Sequence, residues 1–133
     1  MRNQRPLSPT MIDCLLESLP LDITVIDRDD KVIAWTSKDR QLFKIKDEVM
    51  GTNIRDCHSV RSMGVLENLL SEMKEGRLDS TRSVKDIERN GKMKRFMTQY
   101  IALRDDDGNY LGCMEVDMDL SDIPAPDAKG SPY

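Results

Sequence analysis

The sequence predicts an α+β domain: one antiparallel sheet of five strands with its helices gathered on one face. Three observations lead there. The stretch Lys92–Asp119 alternates apolar and polar residues on both sides of Asp107-Gly108, which reads as a long hairpin. Leu21–Thr36 reads as a second, shorter hairpin, with Asp29-Asp30 at its turn. Between them, Val65, Leu66, Leu69, Leu70 and Met73 recur at helical spacing over Ser62–Glu75. Each of these elements is apolar on one side, and a sheet with its helices on one face lets all of them bury that side.

Taken in order, residues 1–9 hold two prolines and little apolar content and read as a flexible lead. Ser8 or Thr10 can cap a short helix over Met11–Leu19, which Pro20 ends. Leu21–Ile26 and Lys31–Thr36 are the first two strands. Ser37–Met50 suits one or two short helices anchored by Leu42, Phe43, Ile45 and Val49, with Gly51 as a break and Ile54–Ser59 as a further short element. Gly76 fits the C-terminal cap of the longer helix. Asp79–Arg89 is a weak polar strand, and Asn90-Gly91 is a strong turn signal before the long pair. Residues 124–133 are rich in proline and small residues and read as a linker-like tail. The expected organisation is therefore a lead over 1–9, a domain over 10–123 and a tail over 124–133.

Composition bounds the function. The chain has 133 residues, 33% of them charged, with a net charge of −4, which describes an acidic protein without the concentrated basic face that nucleic acid requires. No apolar run approaches the ~20 residues of a membrane span, and no apolar segment follows the charged N-terminus as in a signal peptide. The three cysteines, Cys14, Cys57 and Cys113, are odd in number and widely spaced, as in a reducing cytoplasm.

Catalytic patterns are weak. His58 is the single histidine, and its neighbours Asp56 and Ser59 are not placed as triad members usually are. No zinc-ligand spacing surrounds it and no glycine-rich phosphate loop is present. Asp105-Asp106-Asp107 lacks the alternating ligands and final Glu of a calcium loop and suits a solvated turn. The expectation is a protein that binds rather than catalyses.

Three stretches carry a family resemblance. Ile23-Thr-Val-Ile-Asp-Arg-Asp-Asp-Lys-Val-Ile-Ala-Trp35 resembles the opening hairpin of a PAS domain. Gly51-Thr-Asn-Ile-Arg-Asp-Cys-His-Ser59 is similar to the step into PAS pocket helices. Tyr100–Leu120, with Arg104-Asp105, Gly108 and Gly112, is similar to the closing strands of PAS sheets. Cys57-His58 together with that ending is most similar to the PAS subgroup found beside DUF438 and hemerythrin-like domains. The resemblance implies a five-stranded sheet in the order 2-1-5-4-3 and a cytoplasmic sensory role. It also implies a small-molecule cleft between the sheet and the Ser62–Glu75 helix.

The expected cleft wall is Val65, Leu66 and Leu69 from the helix and Met97, Gln99, Ile101, Met114 and Val116 from the last strands, with His58 and Cys57 at the rim and Trp35 in the core or the pocket. The methionines would serve as core filling or as an adaptable wall. His58 reads either as a capping, half-buried residue or, because some PAS families hold haem near this helix, as an axial ligand to haem iron. Cys57 beside it could take a redox role. Leu15, Leu16 and Leu19 form a stripe too apolar for water, which points to packing on the sheet or to a homodimer through Met11–Leu19. An empty dimerisation module is the remaining alternative.

Overall fold

The computed structural model describes residues 1–2, 4–36, 46–121 and 123. The expected helices around Leu42, Phe43 and Ile45 and the tail at 124–133 lie outside the described residues. Helix α1 spans Pro9–Ser18, β1 Asp22–Asp27, β2 Val32–Trp35, α2 Val60–Lys74, β3 Ser80–Arg89, β4 Lys92–Arg104 and β5 Tyr110–Asp119. Short 3₁₀ turns cover Asp47–Val49 and Ile54–Cys57.

The five strands form one sheet in the order β2-β1-β5-β4-β3, every pairing antiparallel. The turns are set by residues that tolerate left-handed backbone. Asn90 and Gly91 have φ of 51° and 76°, so the Asn-Gly pair joins β3 to β4 as a tight hairpin. Asp30, at φ 63°, closes the β1–β2 turn, where Asp27 Oδ1 accepts the N–H groups of Asp29 and Lys31. Beyond β2, the chain at 51–54 runs along that strand: Gly51 N–H donates to Val32 O over 2.7 Å and Val32 N–H to Thr52 O over 2.9 Å. This pairing covers an edge that would otherwise present unpaired backbone.

The core lies between the sheet and α2. Ile26, Val32, Ile54, Leu66, Leu69, Leu70, Met73 and Cys113 are buried there. Leu70 and Met73 are 1% and 0% exposed, and burying each contributes roughly 1.5–3 kcal/mol. Two polar clusters hold α2 in place. Asp30, 4% exposed, accepts Arg55 over 2.9 Å and Lys74 over 2.7 Å, while Arg55 also reaches Glu67. At the other side, Arg104 Nη2 donates to Met73 O and Leu78 O, over 2.7 and 3.1 Å. A guanidinium so placed ties the last turn of α2, where Met73 O also accepts the Gly76 N–H, to the loop that leads into β3.

The inward face of the last strands differs from the expected one. Phe96, Thr98, Tyr100 and Ala102 on β4, with Cys113, Glu115 and Asp117 on β5, share the face that carries the core. Met97, Gln99 and Ile101, with Met114 and Val116, lie on the opposite, outer face. The reason is register. Cys113 pairs with Ile26, which points under α2, and the period of two then fixes every other residue of β5 and β4. The outer face is the more apolar of the two, and Ile23 and Val116 on it are also buried, at 5% and 6% exposed.

Helix α1 begins at Pro9, with Ser8 Oγ accepting the Met11 N–H over 3.1 Å. None of its residues is buried, and Met11, Ile12, Leu15 and Leu16 are 42–50% exposed.

Candidate functional site

A cavity of about 610 Å³ lies between α2 and the inner face of β3, β4 and β5. That volume falls in the range of small-molecule sites, about 300–1,000 Å³. The helix contributes Arg61, Ser62, Val65, Leu66, Asn68 and Leu69, one face of its first three turns, and His58 stands just before it. Leu78 closes one side. The sheet contributes Thr81, Arg82, Ser83 and Lys85 from β3, Phe96, Thr98 and Tyr100 from β4, and Glu115 from β5. A smaller void of about 10 Å³, room for about one water, adjoins Leu66, Tyr100 and Glu115 on the side of β1.

The floor is built by one row of cross-strand neighbours. Trp35 pairs with Thr24, Thr24 with Glu115, Glu115 with Tyr100, and Tyr100 with Thr81, so these side chains line up across all the strands. The Tyr100 hydroxyl donates to Glu115 Oε1 over 3.3 Å, and one register step away Thr98 Oγ1 donates to Asp117 Oδ1 over 2.6 Å. Burial, and then the negative charge of Glu115, raises the Tyr100 phenol well above its ordinary range. The floor is therefore polar and hydrogen-bonded, while α2 and Phe96 supply an apolar side.

Of the expected site residues, Val65, Leu66 and Leu69 line the cavity, and so does His58. Trp35 is half-buried against the core, on the floor row but outside the cavity. Cys57 is exposed and is not a lining residue. Met97, Gln99, Ile101, Met114 and Val116 are turned away from it. The lining residues absent from the expected wall are the apolar Leu78 and Phe96 and, more numerous, the polar ones: Arg61, Ser62 and Asn68 on the helix, Thr81, Arg82, Ser83 and Lys85 on β3, and Thr98, Tyr100 and Glu115. Their alternation was visible, but their polarity argued for the solvent side.

The His58 ring is fixed by its Nδ1, 3.1 Å from Ile54 O. A carbonyl only accepts, so Nδ1 carries the proton, and in the neutral ring Nε2 is left as an acceptor. Among the described residues no group of three or more His, Cys, Asp or Glu side chains is placed to hold a metal ion. Nor is any helix there long and apolar enough to cross a membrane.

A family model described as PAS domain matches residues 12–121. This chain belongs to the PAS-domain family. Members of that family are generally sensory and signalling modules. The solved structures agree on the fold. A C-terminal domain from Streptococcus mutans has a TM-score of 0.76 at 24% identity, covering 89% of this chain and 92% of that chain. The PAS domain of BvgS from Bordetella pertussis has a TM-score of 0.65 at 17% identity, covering 86% and 87% respectively. The PAS domain of a Colwellia psychrerythraea protein has a TM-score of 0.61 at 11% identity, covering 84% and 96%. No curated protein matches this PAS domain.

Proposed function

We propose that this PAS domain is a non-enzymatic sensory module that takes a small molecule in the cleft between α2 and the inner face of β3, β4 and β5. The observation that carries the reading is the cavity of about 610 Å³, with an apolar helix side facing a hydrogen-bonded floor. An ordinary core would close such a space, because protein interiors pack at nearly crystalline density. A sensory box sensor histidine kinase from Vibrio cholerae shares the fold, with a TM-score of 0.56 at 15% identity, which supports a sensory setting. Occupancy would reach the rest of a signalling assembly through the ends of the domain and through a second copy bound along α1. The apolar residues of α1 support that contact, since four of them stay 42–50% exposed within the single chain.

Native mass spectrometry of the purified chain tests the cleft. The expected result is a small-molecule mass excess, released on denaturation and abolished by Val65→Trp, which fills the cavity from an exposed position. Failure of Val65→Trp to alter a bound mass would overturn the assignment.

Haem is the other occupant that the family resemblance raises. An imidazole Nε2 such as that of His58 is the kind of atom that ligates iron. The wall facing α2, however, is Thr98, Tyr100 and Glu115, which is polar where a porphyrin face packs on apolar side chains. The residues do not fit the group, and we read His58 as a half-buried rim residue held by its bond to Ile54 O. A stoichiometric Soret band after reconstitution, lost in His58→Ala, would reverse that reading.

A further inference from the structure

We infer that the ligand class of this cleft is an amphipathic organic anion, held with its anionic end between Arg61 and Lys85 and its apolar body along Val65, Leu69 and Phe96. The inference rests on the cleft being a binding site and adds what it binds.

The charges of the cleft are divided across the sheet. On the side of α2 and β3, Arg61, Arg82 and Lys85 line the cavity, and of the β3 pair Lys85 shares the inner face with Thr81 and Ser83. Among the described residues none of the three forms an ion pair, whereas Arg55, Lys74, Arg77, Lys94, Arg95 and Arg104 all do. On the side of β5 and β1 the same inner face carries carboxylates, Glu115 on the cavity wall and Asp117 and Asp22 beyond it, the last two 2% and 7% exposed. An anionic group is repelled from that side and attracted to the other, which sets one orientation for the bound molecule. Arg61 is also in the first turn of α2, a turn that holds no acidic residue, so no carboxylate of that helix turn offsets its charge. Between the charged sides run the apolar side chains, with Thr98 and Ser83 available to hydrogen-bond a polar substituent. A neutral apolar ligand would leave these cations without use, and a cationic one would meet Arg61 and Lys85 on entry.

The test compares two fluorescent probes on the full chain. Anilinonaphthalene sulfonate carries an aromatic body and one negative charge, and Nile red is apolar and neutral. The expected result is saturable one-to-one binding of the sulfonate. It should be weakened at least about ten-fold in R61E/K85E and less in R61Q/K85Q, with Nile red binding changed by less than about two-fold and the sulfonate's loss reduced at high salt. Unchanged thermal melting of the two variants shows that the fold is kept, since both side chains are exposed. Sulfonate affinity untouched by charge reversal, with Val65→Trp still blocking both probes, would overturn the ligand class and leave the cleft reading standing. Binding of both probes undiminished by Val65→Trp would instead overturn the cleft reading.

Discussion

Tyr100 and Glu115 stand directly opposite each other on β4 and β5, and the tyrosine hydroxyl donates to the carboxylate across 3.3 Å. The pair fixes the polar floor of the cleft and ties phenol ionisation to the fold. Burial and the Glu115 charge hold the folded Tyr100 protonated above the ordinary tyrosine pKa of about 10. A group whose folded pKa is raised contributes stability that is fully present below its unfolded pKa and is lost as pH rises through the folded value. Stability should therefore fall as pH rises above about 10. In Tyr100→Phe that fall should be shallower. Ultraviolet titration of phenolate alongside urea melts at several pH values checks this, and a normal titration of Tyr100 would contradict it.

The cysteines should separate by reactivity. Cys14 and Cys57 are exposed, while Cys113 is buried in the core with its thiol pushed up to about 12, chiefly by desolvation. At pH 8 a disulfide reagent should label two thiols rapidly, and the third, Cys113, only on unfolding. Fast labelling of Cys113 in the native chain would mean that β5 does not pack as described.

Gly112 lies on β5 opposite Asp27 of β1, with no room for a side chain. A Cβ there would meet the backbone carbonyl of Ile26, which cannot move without breaking the strand pairing. Gly112→Ala should cost roughly 1–3 kcal/mol in a urea melt, the scale of overpacking a dense core. A change below about 0.5 kcal/mol, the size of an ordinary surface substitution, would contradict this register.

Leu15 and Leu16 are 44% and 42% exposed in the single chain. If α1 meets a second copy, Leu15→Glu/Leu16→Glu should move the light-scattering mass from dimer to monomer at micromolar concentration with the melting midpoint nearly kept. A monomeric unmodified chain would exclude that contact.

Sequence patterning found most of the fold because its signals are local. Asn90-Gly91 specifies a hairpin by its backbone preference, and the Leu66, Leu69, Leu70, Met73 stripe specifies a helix face against a sheet. The strand order follows once the two-strand and three-strand groups are separated by helices. The inward face of β4 was not legible, for a physical reason. Apolar patterning assigns the richer face to the core, but here Ile23 and Val116 on the outer face are buried as well, while the inner face carries the hydrogen-bonding groups of a cleft. A half-polar face can be buried when its groups satisfy one another, as Tyr100 with Glu115 and Thr98 with Asp117 do. Nothing in single-strand periodicity encodes that pairing between strands.

The most direct measurement is backbone amide chemical-shift mapping of the isotopically labelled chain during titration with anilinonaphthalene sulfonate. The result expected is a set of shifts centred on Arg61, Val65, Leu69, Lys85 and Tyr100, which converge on one cavity from α2, β3 and β4. Shifts confined to Met97, Gln99, Ile101 and Met114 on the outer face, or no shifts at all, would contradict a binding cleft beneath α2.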